Sequence, residues 1–391
     1  MKLRSLTTYV CDAFRTNWVL VRIDTEEGLH GWGEATLEYR EHAVEAAVVA
    51  LEAGLRDRPM EDIQQWWQDA YRDAYWRGGI VLTSALSAIE MALWDLKGKA
   101  LGVPVHQLLG GRVRSEVPCY ANGWFAGAKA PQEFAERAVE AAEWGYRALK
   151  WDPFGTAFRT LSPAGLRAAM EVVEAVVTAL DGRAEVIIEA HGRFELPAAR
   201  RIARALEPYD VLWLEEPLVP GDLTNYARLR DSAATPLSAG ERLCTRWDFQ
   251  ELLQARSVDV LQPDVSHVGG IWESRVVAAM AEAAQLSFAP HNPSGPVANA
   301  ATLQLAATTP NFTYLETMAT DVPWRSAIAT EAGTISRGVA TVPDAPGLGV
   351  EIDPAALTAH PYRRHDLRHY SGALTDIQPA DATPRHQEAP R

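Results

Sequence analysis

From about residue 185 onward, one short apolar run after another ends on an ionisable side chain, at nearly constant intervals. Glu189 ends Glu185-Val186-Ile187-Ile188, and Glu215 ends Val211-Leu212-Trp213-Leu214. Glu241 follows Pro236-Leu237-Ser238-Ala239-Gly240, and Asp264 follows Val258-Asp259-Val260-Leu261-Gln262-Pro263. His291 follows Leu286-Ser287-Phe288-Ala289-Pro290, and Glu316 closes Phe312-Thr313-Tyr314-Leu315. By residue number the steps are 26, 26, 23, 27 and 25. About 25 residues suits one strand, one helix and two short loops. The series predicts parallel strands, each presenting one ionisable group at its C-terminal end. In a (β/α)8 barrel that edge gathers the reactive groups.

The rest of the chain supports this reading. Candidate strands at Pro118–Asn122, Ala148–Trp151, Val186–Ala190, Val211–Glu215, Leu237–Gly240, Val258–Gln262, Ser287–Pro290 and Thr313–Glu316 bring the count to eight. Helical stretches at 131–144, 163–180, 195–207 and 270–284 fill gaps between them. A doubly wound sheet is the rival, but its ligands gather at one switch point and not on every strand. The first 116 residues differ. Val19–Asp24, the turn Glu26-Glu27-Gly28 and His30–Glu34 read as a hairpin, followed by helices at about 41–56, 61–75 and 83–101. The last helix is stopped by Gly102 and Pro104. The expected fold class is α/β: a modified TIM-type barrel over 117–340 with an N-terminal α+β capping domain over 1–116. Residues 341–391, rich in Pro and Gly at first, are expected to return to the capping domain, with the last dozen frayed.

Composition narrows the partners. A formal net charge of −14 over 391 residues argues against nucleic acid or an anionic membrane surface. Cys11, Cys119 and Cys244 form no CxxC pair and suit buried thiols of a cytoplasmic protein. The start Met1-Lys2-Leu3-Arg4-Ser5-Leu6 lacks the apolar core of a signal peptide, and no window approaches a membrane span. No phosphate-binding glycine loop, GxSxG or HExxH occurs. The 13 tryptophans are assigned mainly to the core or a subunit interface.

The chemistry lies in the series. Any one of Glu189, Glu215 and Glu241 could simply open a surface loop. Three in phase in one barrel mouth would repel each other and lose hydration. A hard divalent cation resolves both costs, and a ligand set of oxygen alone favours Mg²⁺. His191 lies two residues beyond Glu189, on the same side of its strand. His291 closes the strand after the one carrying Asp264, and a carboxylate beside a histidine orients the ring and raises its basicity. Lys150 and Asp152 end the second strand. Together these groups suit removal of a proton next to a carboxylate, with positive charge to stabilise the enediolate. If a β-hydroxyl is then expelled, an acid must protonate it, and two histidines fit the two tasks.

These residues resemble the enolase superfamily, its mandelate racemase-like subgroup, and within that the sugar-acid dehydratases. The resemblance rests on Gly31-Trp32-Gly33-Glu34, Tyr75-Trp76-Arg77-Gly78-Gly79, Ala92–Lys99, Ala239-Gly240-Glu241-Arg242, Gln262–Ile271 and Ala289–Pro296, which look like dehydratases of galactonate. Tyr120–Trp124, Leu149–Gly155 and Glu189–Phe194 look more like those of gluconate. It implies Glu189, Glu215 and Glu241 as Mg²⁺ ligands, His291 with Asp264 as general base at C2, and His191 as the acid that releases the C3 hydroxyl. Lys150 would contact the substrate carboxylate, and Glu316 that carboxylate or its enediolate. Asp152, Arg193 and His267 are further substrate-binding candidates, and a segment around Arg15–Leu20 would close the site. Two departures stand out. The superfamily's common Asp is Glu189 here, and Asp152 replaces the second lysine of Lys-x-Lys racemases, which disfavours a two-base racemase with lysine on one face.

The expected activity is therefore Mg²⁺-dependent dehydration of an aldonic acid such as D-galactonate or D-gluconate to a 2-keto-3-deoxy acid, in a homo-oligomer. The rivals are a racemase, epimerase or cycloisomerase on the same scaffold, and a non-catalytic sugar-acid binder.

Overall fold

The computed structural model describes residues 1–56, 58–72, 75–221 and 223–386. The chain opens with β1 (Leu3–Asp12), β2 (Asn17–Thr25) and β3 (His30–Glu34), an antiparallel meander in that order. β2 and β3 form the expected hairpin. β1 has no alternating pattern and is half-buried along most of its length, so nothing in the sequence announces it. Helices α1 (Glu41–Leu51), α2 (Ile63–Arg72) and α3 (Ile80–Leu101) follow. Of the helix expected over 61–75, residues 73 and 74 lie outside the described residues. Gly102, at φ 68°, ends α3 in the left-handed conformation that glycine adopts without cost.

α3 lies between the meander and the rest of the molecule and is buried over most of its length. A Cβ at Gly31 or Gly33 would collide with the carbonyl oxygens of Ala92 and Ala88, so these two glycines of β3 let the helix lie directly on the sheet.

Among the described residues the second unit carries eight parallel strands. After α4 (Val105–Leu108) come β4 (Glu116–Asn122), α5 (Pro131–Glu143), β5 (Ala148–Trp151), α6 (Pro163–Leu180), β6 (Glu185–Glu189) and α7 (Leu196–Leu206). They are followed by β7 (Trp213–Glu215), α8 (Thr224–Arg230), β8 (Leu237–Ala239), α9 (Thr245–Gln254) and β9 (Val260–Leu261). Last come α10 (Ile271–Ala283), β10 (Ser287–Phe288), α11 (Pro296–Thr308) and β11 (Leu315–Met318). All eight expected strands are present, and α8, α9 and α11 fill gaps for which no helix bounds were named from the sequence.

β4 to β10 pair in sequence order, and β11 pairs with β4. Between β10 and β11 the ladder shrinks to a Phe288–Phe312 bridge, spanned by Phe288 N–H to Asn311 O at 3.0 Å and Thr313 N–H to Phe288 O at 2.9 Å. Tyr120, Ala148, Ile187, Trp213, Val260 and Ala289 pack together inside the ring, with Tyr314 against them. Two residues further along each of these seven strands, on the same face by the strand period, stand Asn122, Lys150, Glu189, Glu215, Gln262, His291 and Glu316.

Two buried glutamates of the first unit fasten it to the barrel. Glu34 accepts from the Gly295, Val297 and Ala298 amides (2.6, 3.1 and 2.9 Å), capping α11. Glu90 accepts from Ile271 (2.7 Å) and Trp272 (3.0 Å) and caps α10. Each satisfies amides that have no partner within their own helix and places negative charge at the positive end of the helix dipole.

Beyond the barrel the chain meets both units. Asp12 N–H donates to His360 O at 2.9 Å, and Asn17 exchanges bonds with the Arg363 backbone at 2.8 and 2.9 Å. Further on, Gly127 N–H reaches Thr375 O at 2.7 Å, and Thr383–Pro384 pairs with Thr320–Asp321. The fraying expected of the last dozen residues therefore does not begin at Thr383, and residues 387–391 lie outside those described. Arg385 is held by Asn299 (2.8 Å) and Glu331 (3.1 Å), contacts that polar composition alone does not reveal. Among the described residues no helix is long and apolar enough to cross a membrane.

Candidate active site

The inward face of β5, β6 and β7 brings Lys150, Glu189 and Glu215 together. Glu241 joins them because Gly240, at φ 144°, breaks the alternation just past β8. Glu189, Glu215 and Glu241 offer oxygen atoms within 4.8 Å of one another. Lys150 Nζ lies 2.8 Å from Glu215 Oε1 and 2.8 Å from Glu316 Oε1, with Glu189 Oε2 at 3.6 Å. Glu215 Oε2 also accepts from Trp213 Nε1 at 3.0 Å and Gln262 Nε2 at 2.9 Å.

The electrostatics call for further positive charge. Burial and the neighbouring Glu215 charge push the Glu189 carboxyl well above its ordinary range. Glu215 is held at about 2: burial opposes this, but Lys150 outweighs it. Glu241 is also lowered, as Arg242 and His291 overcome its burial. Lys150, Arg242 and His291 together compensate Glu215 and Glu241 but leave Glu189 raised, and a donor set of carboxylate oxygens fits a hard divalent cation.

Two histidines flank this corner, each with Nδ1 on a buried carboxylate. His191 Nδ1 lies 2.6 Å from Asp152 Oδ2, and Arg193 bonds the same oxygen. Burial raises Asp152, but the bonds to His191 and Arg193 bring it below its ordinary range. His191 adopts φ 50°, a left-handed conformation in the turn after β6, and its amide donates to Glu189 Oε1 at 2.6 Å. His291 Nδ1 lies 2.7 Å from Asp264 Oδ2, and its Nε2 is 3.4 Å from Glu241 Oε2. Burial lowers His291, yet the Glu241 charge and the Asp264 bond raise it to about 9. In both rings Nδ1 is engaged, which leaves Nε2 for chemistry.

These groups line a cavity of about 770 Å³. Lys150, Asp152, Glu189, His191, Arg193, Glu241, His267 and His291 border it, whereas Glu215, Asp264 and Glu316 stand behind its wall. One sequence expectation changes accordingly. Glu316 is fully buried and accepts from Lys150, from Asn122 Nδ2 at 2.8 Å and from the Asn292 amide at 2.8 Å, so it holds Lys150 and does not face the cavity. Asp264 and His291 pair in a parallel bridge that extends β9 and β10, which keeps the strand-end placement expected of both, and Gln262 is the inward residue one two-residue step before Asp264. His267 bonds Ser84 Oγ of α3 at 2.8 Å and sits 3.8 Å from Asp264, linking the first unit to the histidine pair.

The opposite end of the cavity comes from distant segments. Arg15, Glu38 and Tyr39 belong to the first unit, and Arg368 and His369 to the segment after the barrel. Arg15 Nη1 meets Glu38 Oε1 at 2.8 Å, and Arg368 Nη1 donates to Arg15 O at 2.9 Å. Burial raises Glu38, but Arg15 and Arg368 hold it below the usual carboxylate range. Of the expected lid around Arg15–Leu20, only the turn at Arg15 reaches the cavity; Asn17–Leu20 are buried in β2. Asn122, Gln262, Asn292 and Arg242 were missed as well. Asn122 and Gln262 occupy the same inward position as the charged groups and could have been found by extending the two-residue period past Tyr120 and Val260. Arg242, paired with Glu216 and with Glu241 at 2.6 Å, carries no such signal.

Comparison with known proteins gives the family. Residues 5–110 match the model of the mandelate racemase / muconate lactonizing enzyme N-terminal domain, and residues 133–356 match an enolase C-terminal domain-like model. The chain is 38% identical over 387 residues to D-galactonate dehydratase of Variovorax paradoxus, covering 96% of this chain and 100% of that one. It is 39% identical over 341 residues to D-gluconate dehydratase of Thermoproteus tenax, covering 87% of this chain and 69% of the other. Among solved structures it is similar to a mandelate racemase/muconate lactonizing enzyme from Sulfitobacter sp. (TM-score 0.88, 30% identity, 100% and 99% covered). It is also similar to a mandelate racemase/muconate lactonizing enzyme-like protein from Rubrobacter xylanophilus (TM-score 0.86, 34% identity, 93% and 98% covered).

Proposed function

Since the chain belongs to the mandelate racemase / muconate lactonizing enzyme family of the enolase superfamily, we propose that it is an acid-sugar dehydratase acting on an aldonate, D-galactonate or D-gluconate first among them. The observation that carries this reading is the pair of carboxylate-backed histidines on one cavity beside the three-glutamate corner. Glu189, Glu215 and Glu241 are the ligands we assign to the metal, and Mg²⁺ is the ion that suits them. When bound, it supplies positive charge that stabilises the enediolate and offsets the Glu241 charge raising His291.

The chain's own residues do the rest. Lys150 presents its ammonium to the substrate carboxylate, held in place by Glu316. Neutral His291 takes the C2 proton at Nε2, with Asp264 fixing the tautomer. The electron pair moves into the carboxylate as the enediolate, then returns as the C3–O bond breaks. His191, protonated at Nε2 and oriented by Asp152, delivers its proton to the departing hydroxyl, which leaves as water. The enol tautomerises to the 2-keto-3-deoxy acid. Arg193 secures Asp152, and His267 secures Asp264 from the cap side.

We also take residues 1–116 as the capping domain, 117–340 as the catalytic barrel and 341–391 as the segment rejoining the cap. A cytoplasmic homo-oligomer is the working state we assign; size-exclusion chromatography with light scattering tests the assembly, and a single-chain mass would overturn it. The activity is tested by incubating the Mg²⁺-loaded protein with a panel of aldonates and aldarates. A 2-keto-3-deoxy acid from D-galactonate or D-gluconate is expected, and no keto acid from any member, with metal bound, overturns the reading. The like backing of the two histidines also suits transfer of a proton on and off C2, which would make the protein an epimerase. Deuterium uptake at C2 by the unmodified protein, with inversion at C2 and without water loss, would favour that alternative.

A further inference from the structure

After the barrel, residues 360–384 cross from the cap to the barrel mouth as a strap. At its start His365 Nε2 lies 2.9 Å from Asp12 Oδ1, and Arg368 Nη1 donates to Arg15 O at 2.9 Å. At its far end Gln378 Nε2 donates to Thr320 O at 2.7 Å, and Thr383–Pro384 pairs with Thr320–Asp321. Between these anchors, in the short helix Arg368–Ser371, His369 stands against the ring of His191, with centroids 4.2 Å apart and planes at 62°. No step of the proposed reaction uses His369, yet it borders the cavity, as do Leu374 and Ile377 of the same strap.

The His191 ring is tethered at Cβ and bonded to Asp152 at Nδ1, which leaves it a swing about the line through those two points. The His369 ring meets the His191 ring itself and blocks that swing. We infer that His369 is a positioning residue: it holds the His191 ring so that Nε2 faces the C3 hydroxyl, and it forms the wall that reads the substrate chain beyond C3. The inference rests on His191 being the acid. It ties elimination to the docking of the strap, while proton removal by His291, on the other side of the barrel mouth, does not depend on it.

The test separates the two half-reactions. With the Mg²⁺-loaded full chain in D₂O, keto-acid formation and deuterium uptake at C2 are measured for D-galactonate and D-gluconate. His369→Ala should slow elimination about tenfold, the order of cost expected for a catalytic group held a fraction of an ångström off line. C2 exchange should persist, so the exchange-to-elimination ratio rises by the same factor, and the preference between the two C4 epimers should shift. His369→Phe, which keeps a flat ring without a titratable proton, should restore most of the elimination. A fall in both rates together, with lowered Tm or Mg²⁺ affinity, would mean a merely structural role and overturn the inference. So would an unchanged ratio in His369→Ala, or failure of the Phe variant to recover. Keto acid absent from the unmodified protein would instead overturn the dehydratase reading, and this inference with it.

Discussion

The two ends of the cavity are built by different means. At the metal corner every side chain comes from a strand end of one barrel, and each is braced by another: Lys150 by Glu215 and Glu316, Glu215 by Trp213 and Gln262, His291 by Asp264. At the far end Arg15 and Glu38 of the cap meet Arg368 and His369 from a segment more than 300 residues later. The first end is a rigid scaffold, and its geometry is set once the barrel folds. The second exists only while three separate pieces of chain stay docked, and such surfaces are where families vary substrate. The contrast implies that damage at the first end removes chemistry, whereas damage at the second changes which molecule is processed.

The largest effects should fall at the first end. Glu215→Ala removes one of the three carboxylates we assign to the metal and leaves Lys150, Trp213 and Gln262 without their shared acceptor. Mg²⁺ binding by calorimetry should be lost, and turnover should fall by roughly a thousandfold or more. Retained tight Mg²⁺ binding would break the assignment of the corner. His191→Asn should reduce elimination by about a hundredfold or more, in the range for a general acid, while C2 exchange continues. Loss of exchange as well would show that the two histidines do not divide the work.

The same contrast explains what could be read in advance. Side chains on a strand repeat every two residues, so Tyr120 and Asn122, Ile187 and Glu189, and Ala289 and His291 share a face, and a strand end is visible in sequence as an apolar run closing on a polar residue. All eight strands and the three glutamates were legible for that reason. Where the backbone breaks period, as at Gly240, residue number was a looser guide. Glu316 was legible as a site residue, but its orientation was not, because it is set by Asn122 and Asn292 from neighbouring strands. The capping of α10 and α11 by Glu90 and Glu34, and the meeting of His369 with His191, join positions with no local pattern in common. They depend on how the two units dock.

At the far end the effects should be smaller and of another kind. Arg15→Ala removes the ion pair to Glu38 and the bond to Pro293 O that ties the cap turn to the barrel. KM for the preferred aldonate should rise about tenfold, with kcat changed far less, as expected when binding shared by ground and transition states is lost. A fall in kcat with KM unchanged would place Arg15 with the reacting groups and erase the division between the two ends.

The smallest effect concerns how the strap is fastened. Its barrel end is anchored in a largely buried cluster in which Arg325 Nη2 and Arg385 Nη2 share Glu331 Oε1 at 2.8 and 3.1 Å, with Asp321 on Arg325 at 2.8 Å. Burial raises the Glu331 carboxyl, but the two arginines outweigh it and hold it at about 2, below the ordinary 4.5. Between those pH values the unfolded chain binds more protons than the native one. The stability due to Glu331 is therefore full above about 4.5 and is lost as pH falls towards 2. Glu331→Gln should cost about 3 kcal/mol at neutral pH, the scale for removing one partner of a buried ion pair, and lower Tm by several degrees. The gap in Tm between the unmodified and variant proteins should narrow steadily below pH 4.5. A gap constant with pH would mean that packing, not charge, anchors the strap. The far end would then be as firmly built as the metal corner, and the difference between the two ends would lie only in where their residues come from.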